Sequence, residues 1–113
     1  MVIAKSGPFT KEEIEKVREQ FDVYIKTVID INKKICSAGA DRYFESEKIL
    51  LAQESKQSDV WGGGIDINTK IISFDSFINI RPADKNTSNE IQDPKIREKF
   101  EKLTKYFFKE IYG

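Results

Sequence analysis

Few side chains in this sequence have types and spacing that could do chemistry. Asn79 and Arg81 stand two apart in SFINIRP (76–82), and a guanidinium beside a carboxamide can grip a carboxylate, a phosphate or a peptide group through directed hydrogen bonds. Glu54-Ser55-Lys56 has the E-x-K spacing in which a carboxylate holds Mg²⁺ or Mn²⁺ and a lysine steadies the nucleophile, with Asp41 or Asp66 as a second carboxylate. Trp61 offers a flat apolar face with one N–H, and Gly62 to Gly64 behind it expose backbone that a ligand or neighbour can approach closely. The chain has no histidine and one cysteine, Cys36, so Ser-His-Asp and Cys-His devices and a tetrahedral zinc site all lack their parts. No catalytic set is complete, and neither a metal site nor a cofactor is expected.

Each of these residues has a plain structural role open to it as well. Arg81 can tie down the long segment after it by bonding carbonyls, Asp84, Glu90 or Asp93. Trp61 can be a core-edge residue, the glycines a bulge, Asp93 a helix cap and Cys36 a small buried apolar group.

The elements that must position them belong to one domain. A chain of 113 residues is near the commonest domain size. Its 39% hydrophobic and 34% charged residues describe a globular balance, with no apolar run near the ~18 residues of a membrane span. Nineteen basic against nineteen acidic residues give no net field for polyanions, which makes a nucleic-acid partner unlikely on charge alone. The start, MVIAKSGPFTKEE, turns charged before any apolar core could act as a signal peptide; a cytoplasmic location and no membrane attachment are expected. Asn86-Thr87-Ser88 matches a glycosylation acceptor but then has no use.

Residues 1–9 read as an N-terminal extension. Thr10 with Glu13 forms a capping box, with Phe9 and Ile14 as its hydrophobic staple, and Ile14, Val17 and Phe21 mark the inner face of the helix that starts there. From 23 to 37 two readings compete: sevenfold spacing of Ile14, Phe21, Val28 and Ile35 continues the helix, whereas the β-branched VYIKTVIDI and the Asn32–Lys34 turn predict a hairpin, which we favour. ESEKILLAQ (45–53) predicts a short helix, and IDI-NTK-II a second hairpin turning at 68–70. Asp93-Pro94 caps a long terminal helix whose buried stripe is Ile96, Phe100, Leu103, Phe107 and Ile111. The expected class is α+β, in the order αββαββα, with the helices on one face of a small sheet.

If 71–81 is a strand, its even positions Ile72, Phe74, Ser76, Ile78 and Ile80 face the core, and Asn79 and Arg81 project together from the other side. The hairpin then brings Ser55–Val60 and Trp61 beside them, with the long loop 82–92 at the same sheet end.

SKQSDVWG (55–62), SFINIRP (76–82) and NEIQDPKIREK (89–99), with VIDI (28–31) at compatible spacing, resemble a small microbial domain family of unknown function over about residues 10–105. The resemblance implies no activity; it carries over the motif positions Lys56, Gln57, Trp61, Asn79, Arg81, Gln92 and Asp93. Members tend to have glycine where this chain has Lys34 and Glu54, and histidine where it has Tyr43, so a histidine-dependent role would not transfer.

The expected function is therefore a non-enzymatic interaction module that grips a partner protein's polar segment or a small anionic ligand through Lys56, Gln57, Trp61, Asn79, Arg81, Asn86 and Gln92. The alternative is a divalent-metal-dependent phosphodiesterase or nuclease-like hydrolase built on the E-x-K triplet, which requires Glu54 on a strand. The aromatic end, residues 106–113, leaves Tyr106, Phe108 and Tyr112 as a possible homodimer contact.

Overall fold

The computed structural model, which describes residues 1–18 and 23–112, places along the chain β1 (Ile3–Lys5), α1 (Lys11–Val17), β2 (Tyr24–Asp30), β3 (Ile35–Ala38), α2 (Tyr43–Ala52), β4 (Val60–Asp66), β5 (Ile72–Ser73), α3 (Pro94–Phe107) and α4 (Lys109–Tyr112). The five strands make one antiparallel sheet in the order β1-β3-β2-β4-β5. The class is α+β, as expected. The order differs at both ends: residues 3–5, read as part of an extension, supply an edge strand paired with Cys36–Ala38, and the terminal helix breaks at Phe108 into α3 and α4. Among the described residues no helix is long and apolar enough to cross a membrane.

The β-branched stretch folds as a hairpin, because its side chains suit a pleated, buried surface better than a helix. Ile25, Val28 and Ile29 are fully buried. The turn after β2 is held by Asp30, whose Oδ1 accepts from the backbone N–H of Asn32 (2.9 Å) and Lys33 (2.8 Å). Lys34 closes it in the left-handed region at φ 59. Glu54, just past the end of α2, is left-handed as well, at φ 71. α1 opens on the expected capping box: Thr10 Oγ1 accepts from Glu13 N at 3.1 Å, and Thr10 N donates to Glu13 Oε1 at 2.9 Å. Phe21, expected on the inner face of this helix, lies outside the described residues.

Helices cover both faces of the sheet, not one. Alternation along β2 and β4 sends Ile25, Ile29, Trp61 and Ile65 toward α1 and α3, where they meet Val17 and Phe100. Val28 and Val60 point the other way, onto Leu50 of α2. A sheet whose central strands are apolar on both sides must be covered twice, and the short α2 supplies the second cover.

Of the segment 71–81 only Ile72–Ser73 is a strand. Pairing with β4 ends after Gly64↔Ser73 and Ile65↔Ile72. The chain then turns to meet residues 89–91, with Ile91 N donating to Phe74 O (2.9 Å) and Ser76 N to Asn89 O (2.8 Å). A single 3₁₀ turn follows at Phe77–Asn79, capped by Ser76. That turn breaks the period-two alternation. Phe77 (81% exposed) faces outward as its odd position predicts, but Ile80 (46%) faces outward too, whereas Asn79 (0%) and Arg81 (6%) face inward, the reverse of the expected assignment for these three.

The terminal helix carries the expected stripe, interrupted at Phe108, which is buried and stacks on Phe9 with ring centroids 4.9 Å apart. Tyr106 and Tyr112 remain exposed, and the Tyr112 hydroxyl donates to Lys70 O at 3.2 Å.

Candidate functional site

Beyond Gly64, β4 has no strand on its outer side, yet its peptide groups at Val60 and Gly62 still point there. Asn79 and Arg81 supply the missing partners with side chains. The Asn79 carboxamide accepts from Gly62 N (2.8 Å) and donates to Gly62 O (2.9 Å), the two bonds that a neighbouring strand residue would make. Its Nδ2 also reaches Asn89 O at 3.0 Å and Phe74 O at 3.4 Å. Glycine is needed opposite: a Cβ on residue 62 would stand 2.6 Å from the Ser76 Cβ.

Arg81 continues the same edge one step further. Its guanidinium donates to Val60 O and Gln57 O, its Nε donates to Ile78 O at 2.9 Å, and its plane lies 4.6 Å from the centre of the Trp61 ring. Glu47 of α2 is the nearest counter-charge, 3.9 Å away and largely buried. Burial pulls the Arg81 pKa down, while Glu47 and Asp84 act in the opposite direction. The spacing of two that drew attention in the sequence thus matches the spacing of outward peptide groups along β4, and both side chains complete the sheet.

The loop after Arg81 is fixed from within by Asn86. Its Nδ2 donates to the carbonyls of Asn79 (2.8 Å), Ser88 (2.9 Å) and Glu90 (2.8 Å), and its Oδ1 accepts from Gln92 N (2.9 Å). Gln92 in turn accepts from Thr87 N at 2.7 Å. Asp93 caps α3, its Oδ1 accepting from Lys95 N at 2.8 Å.

Between this loop and the start of α3 opens a cleft of about 540 Å³, lined among others by Trp61, Asp84, Lys85, Asn86, Gln92 and Lys95. Trp61 is only 2% exposed, and its indole Nε1 is buried with no hydrogen-bond partner among the described residues. A buried N–H without an acceptor is costly, on the order of 1–3 kcal/mol.

Of the residues expected at the site, Trp61, Asn86 and Gln92 line this cleft, Asn79 and Arg81 stand behind it with their polar atoms engaged, and Lys56 and Gln57 are exposed outside its lining. Gln57 takes part only through its backbone carbonyl. Sequence reasoning missed Lys85 and Lys95, which carry no signal among so many lysines. It also missed the buried pair in which Ser55 Oγ donates to Asp30 Oδ2 at 2.6 Å; a carboxylate inside the apolar run VIDI was a readable sign of it. The E-x-K triplet does not form the arrangement required of it, because Glu54 follows the end of α2 and not a strand. Among the described residues no group of three or more His, Cys, Asp or Glu side chains is placed to hold a metal ion.

No curated protein and no solved structure matches the chain. A family model does match residues 2–107, from the edge strand to the end of α3, and so includes every residue of the cleft. The chain belongs to the family described as "Protein of unknown function (DUF5674)".

Proposed function

We propose that the protein is a non-enzymatic binding module that holds an extended segment of a partner protein in the cleft lined by Trp61. The observation that carries the reading is the indole Nε1 of Trp61, a buried donor with no acceptor among the described residues, on a residue that lines the cleft. A peptide carbonyl satisfies such a donor. Both signs of charge stand around the rim, Asp84 and Asp93 against Lys85 and Lys95. Mixed rim charge suits a peptide with polar groups of both kinds better than a small anion, which the two aspartates repel. The walls are held by the internal bonds of Asn86, so little ordering is left to be done on binding.

Trp61 is the only tryptophan, so its fluorescence and its indole N–H resonance report on this place alone. Peptides selected from a random library displayed against the folded protein are expected to shift both signals, and Lys85→Glu is expected to weaken or redirect the selected set. Selected peptides that leave the indole resonance where it was, or a library that yields no binder, sink the proposal.

A further inference from the structure

A second cavity lies on the α3 side of the sheet and shares no lining residue with the Trp61 cleft. It measures about 450 Å³ and is lined by Ile31, Asn32 and Lys34 from the β2–β3 turn and by Lys99, Lys102 and Leu103 from α3. Every ionisable side chain in that lining is a lysine. Lys102 shares its charge with Glu98 at 3.0 Å, whereas Lys34 and Lys99 have no ion-pair or hydrogen-bonding side-chain partner among the described residues. Concentrating ammonium groups around a concavity is unfavourable unless an anion relieves it.

Lys34 is held at φ 59, a left-handed conformation it shares with Glu54 (φ 71), Lys70 (φ 63) and Lys85 (φ 62) and that glycine adopts freely, so glycine at this position removes the ammonium without straining the turn. Ile31 and Leu103 are half-buried and belong to the margin of the main core, which gives the cavity an apolar floor under its basic rim. Basic rim and apolar floor together fit a ligand that has an oxyanion at one end and an organic body at the other.

We propose that this cavity binds a small phosphate ester, with Lys34, Lys99 and Lys102 around the phosphate and the ester's organic body on Ile31 and Leu103. The site is separate from the Trp61 cleft and stands or falls without it. The probes are phenyl phosphate and inorganic phosphate, titrated into the isotope-labelled protein at low salt.

Saturable shifts of Ile31, Asn32, Lys34, Lys99 and Leu103 are expected, with phenyl phosphate binding more tightly than inorganic phosphate. Lys34→Gly and Lys99→Ala should each weaken phenyl phosphate by about fivefold, the effect of one partly exposed ion pair. Lys34→Gly should do so while raising the unfolding midpoint, since it relieves the backbone. A lysine that served only the fold would lower the midpoint when removed. Shifts spread evenly over the surface lysines, equal affinity of the two probes, or affinities unchanged in both variants overturn the proposal.

Discussion

The carboxamide of Asn79 meets both peptide groups of Gly62, accepting from its N–H at 2.8 Å and donating to its carbonyl at 2.9 Å, and so stands in for a strand that the chain does not provide. The edge of a sheet is otherwise a row of unpaired donors and acceptors, open to pairing with another chain. Closing it with side chains leaves the following residues free to build the loop that walls the cleft.

Asn79→Ala is expected to be among the most damaging single changes in the molecule. It strips the buried Gly62 of two partners and takes a second donor from the carbonyls of Phe74 and Asn89, which keep their bonds from Ile91 N and Ser76 N. A loss of roughly 2–4 kcal/mol in urea denaturation follows from two unpaired buried peptide groups. Asn79→Asp keeps the shape, loses the donor and buries a charge, and should be no better. A loss below about 1 kcal/mol in both variants would show that the edge is not held this way.

Arg81→Lys keeps the charge and discards the fork. A lysine cannot satisfy the carbonyls of Gln57, Val60 and Ile78 at once, nor reproduce the guanidinium's place over the Trp61 ring. Destabilisation of about 2 kcal/mol is expected, on the scale of a lost charge-assisted hydrogen bond, together with altered fluorescence of the single tryptophan. Unchanged emission with unchanged stability would contradict the stacking.

The helices and the first hairpin were legible because their signals are local. Thr10 and Glu13 announce a cap, Asp93-Pro94 another, and VYIKTVIDI declares its pleated surface through β-branching. The resemblance to a family of unknown function was legible as well, but not what the residues that carry it do. INIRP alternates as a strand does, and nothing near it reveals that Phe77–Asn79 tightens into a turn that reverses the inward and outward sides. The demand comes from a distance: unpaired peptide groups at Val60 and Gly62 select the conformation that delivers Asn79 and Arg81 to them. The plain alternative for Arg81, bonding carbonyls to tie down a loop, describes its contacts better than a grip on a ligand does. The two lysine-bearing walls, Lys85 with Lys95 and Lys34 with Lys99, come together only through folding.

Glu54 sits at φ 71, immediately after α2, in the position where a glycine usually ends a helix. Its backbone carbonyl accepts from Lys33 Nζ at 2.9 Å, and a glycine retains that carbonyl. Glu54→Gly is therefore expected to stabilise the fold by about 0.5–1 kcal/mol, as left-handed strain outweighs the extra entropy of the unfolded glycine. Thermal and urea unfolding should agree on the sign. A destabilised variant would mean that the carboxylate makes a contribution in the fold larger than the strain.

Acid should loosen the join between β1 and α1. Glu13 takes a hydrogen bond from Lys5 Nζ at 2.8 Å and another from Thr10 N, and these hold its carboxyl below the ordinary value of about 4.3, the Lys5 bond contributing most. A carboxylate whose pKa is depressed in the fold stabilises it fully above the unfolded value and loses that contribution as the pH falls through the folded one. Glu13→Gln keeps a side chain able to cap the helix but cannot titrate. The wild-type unfolding midpoint should therefore exceed that of the variant by a constant amount from pH 7 down to about 5, and the two should converge below about pH 4. Because both charges are partly exposed, about 0.15 M salt should already shrink the gap. A gap that persists unchanged at pH 3 would place the effect of Glu13 in packing or capping and not in its charge.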